Sequence, residues 1–291
     1  MSPLIDILKL HHPKDTEKSA IRAIGGRELN KSFNELCSKL IENLEMSYTS
    51  LAQDFFRTNK NSIQNWRGFN KKYINGHPIP LYAIDKSLES LNLKNKEKHR
   101  EIIEKIEYLQ CGRVAEKVKA VKYLTPDLVR LCGAHAADGS LYGAKDRGVL
   151  SALWDIGDQE RQNILETRQW IKNLFGFELK FRQKGKMAYL RSNKQVISRY
   201  LIQIFDFPIG RKTEIVGEPK ILSEDDERLL TKISEEMKWK LRLDFAKEVV
   251  NFDGHSTFSG GIVSVGLGSN SQKLLKNVSD TFDHFGIRFN S

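Results

Sequence analysis

Cysteine is scarce. Cys37, Cys111 and Cys132 are the three in 291 residues, with neither pairing logic nor metal-ligand spacing. That excludes a disulfide scaffold and a structural zinc module and points to a reducing, intracellular setting. Long apolar runs are missing as well. The opening Met1-Ser2-Pro3-Leu4-Ile5-Asp6-Ile7-Leu8 is too short and too acidic for a signal peptide, and no later stretch approaches a membrane span, so a soluble protein with no membrane partner is expected. Acidic side chains are in deficit: 37 Asp and Glu face 47 Lys and Arg, a net charge of +10 with a pI near 9.3. Such a field favours polyanionic partners, and the length accommodates two domains with ordinary cores.

What is present is one misplaced acid. Thr125-Pro126-Asp127 reads as an N-cap, a proline at the first helical position and an acid in the first turn, and Gly139 reads as the residue after the C-cap. The intervening Leu131-Cys132-Gly133-Ala134-His135-Ala136-Ala137-Asp138 is a helix of small apolar residues that ends in a carboxylate. Asp138 then lies at the negative end of the helix dipole, where an anion is disfavoured by about 0.3–1 kcal/mol and a bound cation would relieve the repulsion. The pattern recurs about 115 residues later in Phe245-Ala246-Lys247-Glu248-Val249-Val250-Asn251-Phe252-Asp253-Gly254. Each copy is followed by alternating residues and then by a helix ending in Phe-Gly, at Phe175-Gly176 and Phe285-Gly286, so a whole supersecondary unit is repeated.

These residues resemble the LAGLIDADG family of homing endonucleases in its double-motif, single-chain form. Leu131, Gly133, Ala137, Asp138 and Gly139 match the family's first motif, with Cys132, Ala134, His135 and Ala136 at its tolerant positions. The second motif keeps Val249, Val250, Asp253 and Gly254 but has Glu248 and Phe252 where the family has small residues, which leaves open how closely the two motif helices approach. The resemblance implies an α+β fold, a pseudo-symmetric αββαββα saddle. The first half reads as a strand over 148–155, a helix over 159–174, a hairpin of 179–183 with 186–192, and a helix over 194–205. The second half reads as incomplete, with strands over 256–258 and 261–266 and a helix over 272–285 before the chain stops. Boundaries follow at 124–207 for the first half, 208–232 for the connector and 233–291 for the partial second half.

Lys145, Arg147, Lys180, Arg182, Lys184, Lys186 and Arg191 fall in or beside the strands, and Lys180, Arg182 and Lys184 alternate, which places them on one sheet face. In the family that face lies in the major groove, where long polar side chains reach phosphates and base edges. The resemblance also implies that Asp138 and Asp253 jointly hold Mg2+ or a similar divalent ion such as Mn2+. Lys212, in the connector Phe207-Pro208-Ile209-Gly210-Arg211-Lys212, takes the family's active-site lysine role, stabilising charge or helping to activate the nucleophile.

Ahead of this, residues 1–30 read as an N-terminal arm, 31–112 as an all-α domain and 113–123 as a basic linker. A short helix over 50–56, a turn over 57–60 and a second short helix over 61–68 resemble a repressor-type helix-turn-helix. Ala52 fits the tight crossing, Ile63 and Trp66 anchor the core, and Asn61, Ser62, Gln64, Asn65 and Arg67 are suited to DNA. Further helices are expected from Ile79 and over 97–110. The reading that follows is a monomeric, metal-dependent endonuclease of double-stranded DNA in the cytoplasm at the nucleoid, with an organelle as the other location. The competing reading is a non-cleaving DNA-binding regulator, or an intron-splicing partner of RNA, on the same scaffold.

Overall fold

The computed structural model describes residues 2–15, 19–68, 77–111, 116–143, 152–210, 216–223, 225–259 and 262–287. The chain is α+β and divides into two compact units, Asp6–Lys122 and Met1–Ile5 with Tyr123–Ser291.

The first unit is mixed rather than all-α. Its elements are β1 (Ile21–Ile24), α1 (Gly26–Asn43), α2 (Tyr48–Ser50) continued by a π-turn over Leu51–Phe55, α3 (Lys60–Trp66), β2 (Ile79–Pro80), α4 (Leu81–Ser90), α5 (Glu97–Lys105), β3 (Tyr108–Cys111) and β4 (Val118–Lys119). The strands form an antiparallel sheet in the order β2-β1-β3-β4. The helix expected over 97–110 stops at Lys105, because Ile106 turns extended and Tyr108–Cys111 pairs with β1. The expected basic linker is an edge strand at its centre. Val118 and Ala120 are buried between exposed Lys117 and Lys119, a period of two that fits a half-buried strand.

The expected N-terminal arm is core. Ile7, Leu8 and Leu10 are buried in a 3-10 turn, and β1 sits inside the sheet. Residues before Asp6 belong to the other unit, where Leu4 bridges Tyr123, Ile5 bridges Leu229, and the Leu4 N–H donates to Thr231 Oγ1 at 2.8 Å.

That second unit holds α6 (Pro126–Asp138), β5 (Gly139–Tyr142), β6 (Leu153–Asp158), α7 (Arg161–Phe175), β7 (Arg182–Lys184), β8 (Met187–Ser192) and α8 (Gln195–Arg199) with a π-turn over Tyr200–Ile204. There follow α9 (Lys220–Ser223), α10 (Glu235–Asp253), β9 (Gly254–Ser259), β10 (Ile262–Leu267) and α11 (Gln272–His284). The four earlier strands make an antiparallel sheet in the order β5-β6-β8-β7, and β9 and β10 pair as a ribbon.

Helix, strand, strand, helix thus occurs twice, as α6-β5-β6-α7 and α10-β9-β10-α11. Both copies close alike: Gly176 and Gly286 follow Phe175 and Phe285 with φ of +74° and +73°, a backbone region that favours glycine. No helix among the described residues is long and apolar enough to cross a membrane.

Candidate functional site

The two acid-terminated helices begin and end by the same chemistry. Thr125 Oγ1 accepts from the Leu128 N–H at 3.4 Å to start α6, and Ser234 Oγ accepts from the Met237 N–H at 3.3 Å to start α10. At the other end Gly139 and Gly254 are themselves the caps, with φ,ψ of −72°,155° and −80°,156°, each donating its N–H to the carbonyl four residues back. Those backbones are extended, so glycine is not needed there for a left-handed turn. It is needed for room: a Cβ would collide with the His135 ring at Gly139 and with the Val250 carbonyl at Gly254.

Contacts between α6 and α10 fix their relation. Arg130 Nη2 lies 2.9 Å from Asp244 Oδ1, and a Cβ on Gly133 would sit 2.5 Å from the Phe245 carbonyl oxygen and 2.9 Å from Glu248 Cβ. Partners advance in the same direction along both helices, so the pair runs parallel. Asp138 stands five residues beyond Gly133 and Asp253 five beyond Glu248, about 7.5 Å further along each axis at 1.5 Å per residue. Both carboxylates therefore emerge at the same end of the pair.

Glu248 does not hold the helices apart, because Gly133 faces it. The Glu248 carboxyl is buried, accepts from Asn251 Nδ2 at 3.0 Å, and has its pKa raised by burial, which outweighs the Asn251 hydrogen bond and the Arg130 charge. Phe252 is buried. Asp138 is exposed and Asp253 half-buried. Asp253 lines a cleft of about 240 Å³ with Ala136, Ala137, Ser269, Asn270 and Leu274, which brings the end of α6 beside the acid that closes α10.

Neighbouring side chains hold this end in place. Trp154 Nε1 donates to His135 Nδ1 at 3.2 Å, both buried, and Phe207 packs edge-on against the His135 ring at 4.6 Å. Asn163 Nδ2 donates to Asp158 Oδ2 at 2.6 Å and to the Asn251 carbonyl at 2.9 Å, tying the start of α7 to the last turn of α10. The Gly210 N–H donates to the Leu141 carbonyl at 2.7 Å, which anchors the start of the connector to β5. Lys212, Lys145 and Arg147 lie outside the described residues.

The remaining strand cations sit on the four-stranded sheet. Leu141, Trp154, Ile156, Ala188 and Leu190 face the core. Register puts Tyr142, Asp155, Met187, Tyr189 and Arg191 on the opposite face, with Arg182 opposite Tyr189 and Lys184 opposite Met187. Arg182, Lys184, Lys186 and Arg191 are all exposed. Lys186 belongs to the hairpin turn, and Lys180 is exposed but precedes β7, so the expected alternating stripe is two residues long within the strand. Asp155 was not singled out by the sequence. It faces Arg191 across the strands with a 3.2 Å ion pair. Its signal was alternation with Leu153 and Gly157; its partner depended on a register that sequence does not reveal.

In the other unit, α2 with its π-turn and α3 flank a turn in which Arg57 has φ of +52° and Asn59 caps α3 by accepting from the Ser62 N–H at 2.8 Å. Ala52, Ile63 and Trp66 are buried, Trp66 against Phe33 and Phe56 at 6.3 and 6.2 Å. Asn61 and Gln64 are exposed, and Ser62 and Asn65 half-buried. Arg67 is engaged within the unit, its Nε donating to Asn34 Oδ1 and its guanidinium 4.8 Å over the Tyr48 ring.

Two of the three thiols are disqualified as nucleophiles: burial pushes Cys37 up to about 12 and Cys132 well above the ordinary thiol range. Among the described residues no group of three or more His, Cys, Asp or Glu is placed to hold a metal. Two hard oxygen donors at two helix C-termini fit an ion that takes one or two carboxylates and completes its shell with waters and phosphate oxygens. No protein-family model matches this chain, and no curated protein matches its sequence.

Proposed function

We propose that the chain is a metal-dependent endonuclease of double-stranded DNA of the LAGLIDADG type. The observation that carries the reading is the parallel pair α6–α10, packed through Gly133, whose two helices each finish in an aspartate at the same end of the pair. Two carboxylates at the negative ends of two helices are hard oxygen donors of the kind a divalent ion takes; Asp138 and Asp253 would hold Mg2+ or Mn2+ between them. When bound, the ion supplies Lewis-acid polarisation of a phosphodiester and lowers the pKa of a water.

The chain's own residues set the geometry. Gly133 allows the approach, Trp154 and His135 fix the base of α6, and Asn163 fixes the last turn of α10. The exposed cations of the four-stranded sheet present positive charge to the duplex, and the resemblance assigns Lys145 and Arg147 the same role. Lys212, which lies outside the described residues, would take the active-site lysine role that the resemblance implies. Asn61, Ser62, Gln64 and Asn65 of the helix-turn-helix-like element add a second DNA contact, whereas Arg67 is held by Asn34 and Tyr48 and braces the element. Because the two halves differ in sequence, the site is an asymmetric duplex, and the protein works as an intracellular monomer.

One observation favours the reading in which binding outlives cleavage. Beside α10 the described strands number two, and their ribbon leaves Phe258 75% and Val265 54% exposed. A randomised duplex-DNA library decides between them. Wild type is expected to cut with Mg2+, whereas Asp138→Asn and Asp253→Asn each lose cutting at least a hundredfold while binding in Ca2+ survives. If all three bind equally and none cuts, the nuclease reading is wrong and the protein is a DNA-binding derivative.

A further inference from the structure

The cations of the four-stranded sheet are of two kinds. Lys180, Arg182, Lys184 and Lys186 lie on or beside the edge strand β7 and its hairpin, are exposed, and have no ion-pair partner among the described residues. Arg191 is different. It stands on β8, an interior strand, with Nη2 3.2 Å from Asp155 Oδ2 on β6 and its guanidinium 5.8 Å from the centroid of the Tyr142 ring.

That difference assigns different work. An unpaired cation at the rim of a sheet lying in a groove meets phosphate, the nearest and strongest charge. The Asp155 carboxylate beside Arg191 offsets part of its charge and repels any phosphate oxygen that comes to the same place. Its field adds little to attraction at a distance. What the ion pair does supply is direction: a long side chain on the sheet's mid-line is held by a carboxylate across the strands, leaving further N–H donors of its five to face outward. An uncharged base edge with two adjacent acceptors is the group that such a fork fits, and in the major groove that edge is guanine N7 and O6.

Resting on the duplex-DNA reading above, we infer that Arg191, held by Asp155, is a residue that reads guanine, while Lys180, Arg182, Lys184 and Lys186 take phosphates. Selection from a randomised duplex library tests this, with full-length wild type, Arg191→Lys, Arg191→Ala, Asp155→Asn and Lys184→Ala, each motif then measured across a salt series. Arg191→Lys and Arg191→Ala should erase a guanine preference at one motif position, a loss of roughly tenfold or more in discrimination, and leave the other positions intact. Asp155→Asn should keep guanine there but weaken the preference. Lys184→Ala should leave the motif unchanged and reduce the slope of log K against log salt by about 0.9.

A wild-type motif that survives unchanged in both Arg191 variants overturns the inference and leaves the duplex reading standing, as does an Arg191→Ala protein that loses salt slope as Lys184→Ala does with its motif intact. Wild type that binds no duplex overturns the duplex reading itself, and the inference with it.

Discussion

Gly133→Ala sets two opposed effects against each other at one atom. Within a helix interior the substitution alone stabilises by about 0.8–1 kcal/mol, because alanine loses less backbone entropy on folding. Here the new methyl would meet the Phe245 carbonyl oxygen at 2.5 Å and Glu248 Cβ at 2.9 Å, against an ordinary separation of about 3.5 Å. A backbone oxygen cannot rotate away, so α6 and α10 must part by several tenths of an ångström. Overpacking of this kind costs about 2–3 kcal/mol. The difference is a net loss of roughly 1–2 kcal/mol, or a melting point lower by about 2–8 °C for a unit of this size. Thermal unfolding followed by tryptophan fluorescence suits the question, since Trp154, Trp170 and Trp239 share the unit that contains α6 and Trp66 is in the other. On the proposed nuclease reading the same parting displaces Asp138 from Asp253, and cutting should then fall more steeply than binding. A variant melting higher than wild type by the helix-propensity gain alone would refute the close approach on which the site is built.

Two further substitutions probe the surroundings of the carboxylates. Trp154→Phe removes the N–H that reaches His135 Nδ1 in the core and should cost about 2 kcal/mol in urea denaturation; a change within a few tenths would mean that the bond contributes nothing net. Glu248 has a raised pKa because it is buried, so the folded chain holds that proton more tightly than the unfolded one. Its contribution to stability is fully present below the unfolded value and is lost as pH rises through the raised folded value. Glu248→Gln should accordingly raise the urea midpoint at neutral pH and flatten the stability gain that wild type shows on mild acidification. Parallel pH profiles for the two proteins would show that Glu248 is not the group responsible.

Local signals carried the two motif helices of the second unit well, because each was written in adjacent residues, whereas the strand Gly139–Tyr142 was not foreseen and the one expected over 148–155 runs Leu153–Asp158 among the described residues. Thr125, Pro126 and Asp127 start α6 by capping chemistry, and the repeated Asp-Gly endings mark where α6 and α10 stop, since a helix ends where its last N–H finds a carbonyl four residues back. The first unit was harder for the opposite reason. Its strands are two to four residues long, and β1 pairs with a segment more than eighty residues away. A strand that short has no periodicity to detect, so the helical pattern around it dominated and the sheet was invisible. Lys117-Val118-Lys119-Ala120 shows how narrow the margin is: its alternation marks an edge strand, but its charge reads equally well as a solvated spacer.

The candidate site divides along the same line. That Asp138 ends a helix is a one-dimensional fact. That it lies at the same end of the helix pair as Asp253 is not, because it requires two helices to run parallel in one register, and a shift of one turn, about 5.4 Å, would stagger the acids without altering either motif. Gly133 removes that freedom, as it is the residue on α6 that lets Phe245 and Glu248 approach so closely. Asp155 and Arg191 make the same point on the sheet, where a slip of one residue would turn either side chain into the core. Residues of one charge sign are legible in the sequence; which of them are paired depends on register. On the duplex-DNA reading it is that pairing, and not the count of lysines and arginines, that would separate a surface able to hold a duplex from one able to choose among duplexes.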